Sequence, residues 1–165
     1  MPALTQTKRY TPEEYLALEE KAEFRSEFVN GHIFKLAGGT EAHNDITLNV
    51  ATHLRTKLRG RCKAFASDMR IWVEAAGTFF YPDVAVVCGE RRFHKSRLDT
   101  IENPTLLVEV LSKTTEEYDK NDKFFTYQNI DSYMEYGLIS QSMPGVQQYV
   151  RQAAGNWKVK ATIGL

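Results

Sequence analysis

TFFYPDVAVVCG, residues 78–89, and NPTLLVEVLS, residues 103–112, are two apolar runs that each carry one carboxylate in their apolar part, Asp83 and Glu109. TTEEYDKNDKFFTY, residues 114–127, follows after Lys113 as a charged, helix-like stretch with a lysine at Lys123. Valine, phenylalanine, tyrosine and threonine dominate the first run, and aliphatic residues the second, which marks both as strands. Strand alternation puts Leu107, Glu109 and Leu111 on one face and Leu106, Val108 and Val110 on the other. Both faces are apolar, so Glu109 is not a solvent-side residue. A buried acid must be paired, hydrogen-bonded or bound to metal.

Outward from this centre, residues 1–10 read as a loose arm. Thr11-Pro12-Glu13-Glu14 reads as a capped helix start, with the helix running to about Ala22. Asn30-Gly31 predicts a hairpin over residues 26–36. Ile46, Val50, Leu54 and Leu58 recur at spacing four and predict a helix from His43 to Leu58. Residues 62–73 read as one strand with Asp68 near its middle. Residues 78–88 read as the next strand, antiparallel to it across a short turn. Residues 89–103 form the longest irregular polar stretch, a surface loop in which Arg91, Arg92, His94, Lys95 and Arg97 make the main basic cluster. A strand over 104–112, a Thr114/Thr115-capped helix to about Asn129, a strand over 133–139 and a hairpin pairing 146–149 with 157–159 complete the order. This is an α/β (α+β) layout: a mixed β-sheet core flanked by helices, with an N-terminal helix and hairpin. No Gly-rich loop supports a dinucleotide- or nucleotide-binding fold, and no organic cofactor is expected.

The chain has 165 residues, with 21 basic and 21 acidic side chains and zero formal net charge. That size fits a single domain over residues 1–165. The charge balance excludes a nonspecific nucleic-acid coat but leaves room for a local phosphate-binding patch. Cys62 and Cys88 have no metal-ligand spacing and read as reduced, buried small residues of a cytoplasmic protein. No apolar leader segment and no membrane-length apolar window are present in the sequence.

If the strands of Asp83 and Glu109 are neighbours, their carboxylates repel unless a cation neutralises them. A hard divalent ion such as Mg²⁺, or Mn²⁺, suits carboxylate and water oxygens and can polarise a phosphodiester. A lysine beside such a pair would orient or activate water, or stabilise the transition state. Each residue also has a structural reading. Asp83 could cap a turn, Glu109 could be half of a structural ion pair, and Lys123 has Asp119 four positions earlier. His43 could hydrogen-bond a helix start, and Glu27 and Asp68 could be surface residues of their strands.

At these residues the chain resembles the Uma2 family (DUF820), within the PD-(D/E)XK restriction-endonuclease-like superfamily. The resemblance runs through YTPEEYLALE, EFRSEFVNGHIFKLAGGTEAHN, SDMRI, YPDVAVV and NPTLLVEVLSKTTEEYDKNDKFFTYQNIDSYMEYGLIS, almost the whole chain. It implies that Asp83 is the aspartate of the PD motif and Glu109 the acid of the (D/E)XK motif. Leu111 stands where the pattern has its lysine, so the amine would come from the following helix, in a D-x-x-x-K arrangement of Asp119 and Lys123. Glu27, His43 and Asp68 match recurrent family positions at the rim or behind the site. The resemblance further implies metal-dependent hydrolysis of DNA, with Asp83 and Glu109 as metal ligands, by a homodimer. It implies too that many relatives run further at the C-terminus. A catalytically inactive nucleic-acid-binding or assembly module on the same fold is the alternative. Everything catalytic depends on Lys123 pointing inward.

Overall fold

The computed structural model describes residues 8–164. The expected arm over residues 1–10 and the end at Leu165 lie mostly outside the described residues. Helix α1 (Pro12–Glu19) begins with a capping box, in which Thr11 Oγ1 accepts from the Glu14 amide and Glu14 accepts from the Thr11 amide. Strands β1 (Ser26–Val29) and β2 (His32–Lys35) form the expected hairpin. Its turn residues Asn30 and Gly31 have φ of 51° and 80°, the left-handed pair that matches strand twist. Helix α2 (Glu41–Lys57) is capped by the Thr40 side chain.

The two long strands expected over 62–73 and 78–88 are each broken in two. The first gives β3 (Cys62–Ala66) and β4 (Arg70–Val73), and the second gives β5 (Thr78–Phe80) and β6 (Val84–Cys88). The expected antiparallel pairing holds for both halves: β4 pairs with β5, and β3 with β6. The halves, however, enter different sheets. One sheet has the order β2-β1-β5-β4-β7, with β7 at Thr100–Ile101. With β8 at Leu106–Leu111, β9 at Glu135–Ser140, β10 at Gly145–Arg151 and β11 at Trp157–Ile163, the other runs β11-β10-β9-β8-β6-β3. Pro82 has no N–H to give to a ladder, and the chain leaves one sheet and joins the other at Tyr81-Pro82-Asp83. On the partner strand the switch falls at the turn around Ser67 and Asp68, so Asp68 is not in a strand.

In the second sheet, β8 (Leu106–Leu111) runs antiparallel to β6 and parallel to β9 (Glu135–Ser140), and β10 (Gly145–Arg151) and β11 (Trp157–Ile163) form the C-terminal hairpin. Between β8 and β9 one continuous helix is built from α3 (Glu116–Tyr118), a π-helical turn (Asp119–Lys123) and α4 (Phe124–Tyr127). Its inward face packs Phe124 and Tyr127 with Leu107, Tyr133, Tyr136 and Leu138 in the main core. Each such side chain contributes about 1.5–3 kcal/mol by burial. A smaller core joins Tyr15 and Leu16 of α1 to Phe28 and Phe79.

The loop over 89–103 is more ordered than its composition suggests. It holds a short 3-10 turn, His94–Ser96, and β7, and it docks on α1 through Lys95–Glu13 and Arg97–Glu20 ion pairs. His94 is buried against Glu102 and Trp72. Much of the basic cluster read from the sequence is therefore spent on intramolecular pairs. The cysteines also need correction: Cys62 and Cys88 face each other on β3 and β6 and form a disulfide, with Cys88 exposed. Hence they give no support to a reducing compartment. Among the described residues, no helix is long and apolar enough to cross a membrane.

Candidate active site

The site lies at the seam where the chain changes sheets. Glu109 is on the face of β8 shared with Leu107 and Leu111, both in the main core, and its side chain is buried. Asp83 stands just before β6 and its Oδ2 accepts from the Val110 amide at 2.7 Å. That bond places it against the residue next to Glu109. Asp83 Oδ1 pairs with His43 Nε2 at 3.1 Å, bringing in the first turn of α2. A Cβ on Gly39 would meet His43 Nδ1 at 2.9 Å, so the glycine leaves room for this ring.

Lys123 points inward and is 4% exposed. Its amine lies 3.0 Å from Glu27 Oε1, 3.1 Å from Glu109 Oε1 and 3.5 Å from Asp119 Oδ1. The structural and functional readings of Lys123 thus coincide in geometry: the Asp119 pair exists, inside a cluster that also reaches Glu109. The π-helical turn spans this Asp119–Lys123 pair and keeps both side chains buried. Tyr136 Oη donates to the Asp119 carbonyl at 2.9 Å and ties the turn to β9. Local π geometry of this kind is frequent at functional sites.

Glu27, which the sequence left open as a surface residue, is buried in the cluster. It accepts from the Tyr81 amide at 3.0 Å and from Tyr118 Oη at 3.4 Å. The aromatic rings of Phe80 and Tyr118 flank the Lys123 amine, with centroids 5.6 and 5.7 Å away. Sequence reasoning missed Tyr118 and the Tyr81 amide. Tyr118 adjoins Asp119, but no spacing rule marks it. Asp68 is not brought to the amine: its side chain is 93% exposed and pairs with Arg25 at 3.3 Å.

One cation among three buried carboxylates dominates the electrostatics. Burial pushes the Glu109 carboxyl well above the usual range, against the pull of Lys123. Asp119 is raised for the same reason, although Lys123 and a hydrogen bond from Thr115 oppose the shift. Burial works against charge on Lys123, but Glu109, Glu27 and Asp119 together outweigh it and raise the amine well above its ordinary value. Lys123 is therefore an ammonium in this state, and Glu109 holds a proton more readily than an ordinary glutamate. The hydrogen bond that His43 donates to Asp83 raises the imidazole despite partial burial. Asp83 and His43 remain partly exposed, whereas Glu109 and Lys123 are buried.

Among the described residues, no three His, Cys, Asp or Glu side chains form a ready cluster for a metal ion. Asp83 and Glu109 nonetheless fit Mg²⁺ or Mn²⁺ in donor chemistry. Such hard ions are held by one or two carboxylates and otherwise keep water and substrate phosphate oxygens.

The Uma2 family pattern, described as "Putative restriction endonuclease", matches residues 12–163. Two proteins of Synechocystis sp. (strain ATCC 27184 / PCC 6803 / Kazusa) are similar in sequence. "Uncharacterized protein sll1609" is 36% identical over 99% of this chain and 93% of its own length. "Uncharacterized protein slr1290" is 32% identical over 92% of this chain and 79% of its own length. In three dimensions the fold is similar to a crystal structure described as "a putative nuclease belonging to DUF820" from Anabaena variabilis ATCC 29413. The TM-score is 0.76 at 17% identity, covering 93% of this chain and 84% of the other. The expected mixed sheet core with flanking helices and N-terminal hairpin is borne out by the architecture itself. With its sequence pattern matched from the first helix to the last strand, this chain belongs to the Uma2 family.

Proposed function

We propose that this protein is a metal-dependent DNA endonuclease that hydrolyses phosphodiester bonds, with Asp83, Glu109 and Lys123 at its active site. One observation carries the reading: the Lys123 amine lies 3.1 Å from Glu109 although Leu111 occupies the usual lysine place on the strand. A divalent cation held by Asp83 and Glu109 would supply charge neutralisation at the scissile phosphate. The chain's own groups do the positioning. The partly exposed Asp83–His43 pair faces the entering phosphate. Lys123, as an ammonium, orients the attacking water and stabilises charge that develops on phosphate oxygens. Glu27 and Asp119 hold the amine in place, and the rings of Phe80 and Tyr118 flank it.

A double-strand break needs one such site per strand, which a homodimer provides; sedimentation equilibrium reads that state. A catalytically silent nucleic-acid-binding module is the second reading, favoured by an ion-pair web in which Glu27, Glu109 and Asp119 already have Lys123 as partner. The two are separated by incubating supercoiled plasmid, linear duplex and single-stranded DNA with Mg²⁺ or Mn²⁺. Wild type is expected to cut, while Asp83→Ala and Lys123→Ala are not. Cleavage unchanged by both substitutions overturns the site.

A further inference from the structure

From Asp45 to Asp68 the chain contains no acidic residue between those two, yet it carries Arg55, Lys57, Arg59, Arg61 and Lys63. These five side chains are all exposed, at the C-terminal end of α2 and the start of β3. Among the described residues, none of them has a carboxylate within ion-pair distance. The loop cations Lys95 and Arg97, in contrast, are neutralised by α1. In a chain of zero formal net charge, this leaves a positive pole.

The fold adds a second segment to that pole. Cys62 pairs with Cys88 across β3 and β6, and their disulfide fastens the Arg61–Lys63 segment beside the residues that lead to Arg91 and Arg92. Both arginines are exposed and likewise have no ion-pair partner among the described residues; Glu90 is the single acid between Cys88 and Arg92.

We propose that this surface is a docking site for the phosphate backbone of duplex DNA, separate from the candidate active site and joined to it by α2. The choice of partner rests on the nuclease reading; the charge and its placement do not. The first turn of α2 carries His43 to the site, and Arg55 follows 12 residues later on the same helix. At 1.5 Å per residue that is about 18 Å along the axis. Each base pair advances about 3.4 Å, so a duplex lying along α2 reaches the patch roughly five base pairs from the scissile phosphate. A membrane surface fits less well. Stable peripheral binding needs apolar side chains to insert, and the exposed large apolar residues include none between Leu48 and Leu98.

The test uses the full chain with chelator present, so that binding is read without cleavage. Anisotropy of a fluorescein-labelled 24-base-pair duplex is measured over a salt series for wild type and for the triple variant Arg59→Gln, Arg61→Gln, Lys63→Gln. These residues are exposed, and a wild-type melting temperature verifies that the variant folds. The variant is expected to bind at least tenfold more weakly at low salt. Its log–log salt slope should fall by about 2–3, near 0.9 for each lost phosphate contact. Equal affinity and equal slope overturn the proposal, as does wild-type binding to vesicles containing phosphatidylserine with none to duplex. A charge-dependent complex that never cuts DNA refutes the nuclease reading and leaves this surface standing. Cleaving protein whose binding ignores the triple substitution does the reverse.

Discussion

The amine of Lys123 lies 3.1 Å from Glu109 Oε1, and the two residues come from different elements 14 positions apart. A parallel strand crossover makes this contact, because the helix between β8 and β9 packs back over the face that carries Glu109. Lys123 is consequently both a catalytic candidate and the counter-charge for three buried acids.

Lys123→Met removes that counter-charge and strands Glu27, Glu109 and Asp119 in the interior. A loss of about 3–5 kcal/mol is expected, the usual cost of breaking a buried ion-pair group. Urea denaturation at neutral pH measures it, and an unchanged midpoint would mean that the carboxylates are solvated in solution.

Glu109→Gln is expected to abolish cleavage without loss of stability. The site has more acid than cation, and burial raises the Glu109 carboxyl. An acid whose folded pKa lies above its unfolded value costs stability as pH rises through that interval. The amide escapes this cost, while Lys123 keeps Glu27 and Asp119. At about pH 8 the variant should melt at or above wild type, by roughly 1 kcal/mol. A destabilisation beyond about 2 kcal/mol would show that the Glu109 bond to Lys123 outweighs its desolvation.

His43 gives a pH signature of opposite origin. Its pKa is raised in the folded state through the hydrogen bond to Asp83. Its contribution is therefore full below the ordinary histidine value and is lost as pH rises through the raised one. Melting temperatures of wild type and His43→Gln should differ most near about pH 5.5 and converge near about pH 9. A gap that widens toward high pH would contradict the imidazolium–carboxylate pair.

Asp68→Asn should change cleavage less than twofold and stability by less than about 0.5 kcal/mol. The side chain is 93% exposed and touches Arg25 rather than the Lys123 cluster. A tenfold activity loss would place Asp68 at the site when DNA is bound.

Local chemistry determined much of this protein. Thr11-Pro12-Glu13-Glu14 and Asn30-Gly31 act within a few residues, and helix start and hairpin stand where the sequence puts them. Strand alternation in LLVEVL buries Glu109, and the D-x-x-x-K spacing sets Asp119 beside Lys123. Only the tertiary structure decided where Lys123 points. It also split residues 62–73 and 78–88 between two sheets: Pro82 marks where the second run leaves its ladder, but which partner each half joins is set by non-local packing. That split sets Asp83 at the seam, withdraws Asp68 to a turn, and brings Glu27 from a distant hairpin to the amine. Such placements depend on non-local packing, which gathers acids from three separate elements around a single lysine.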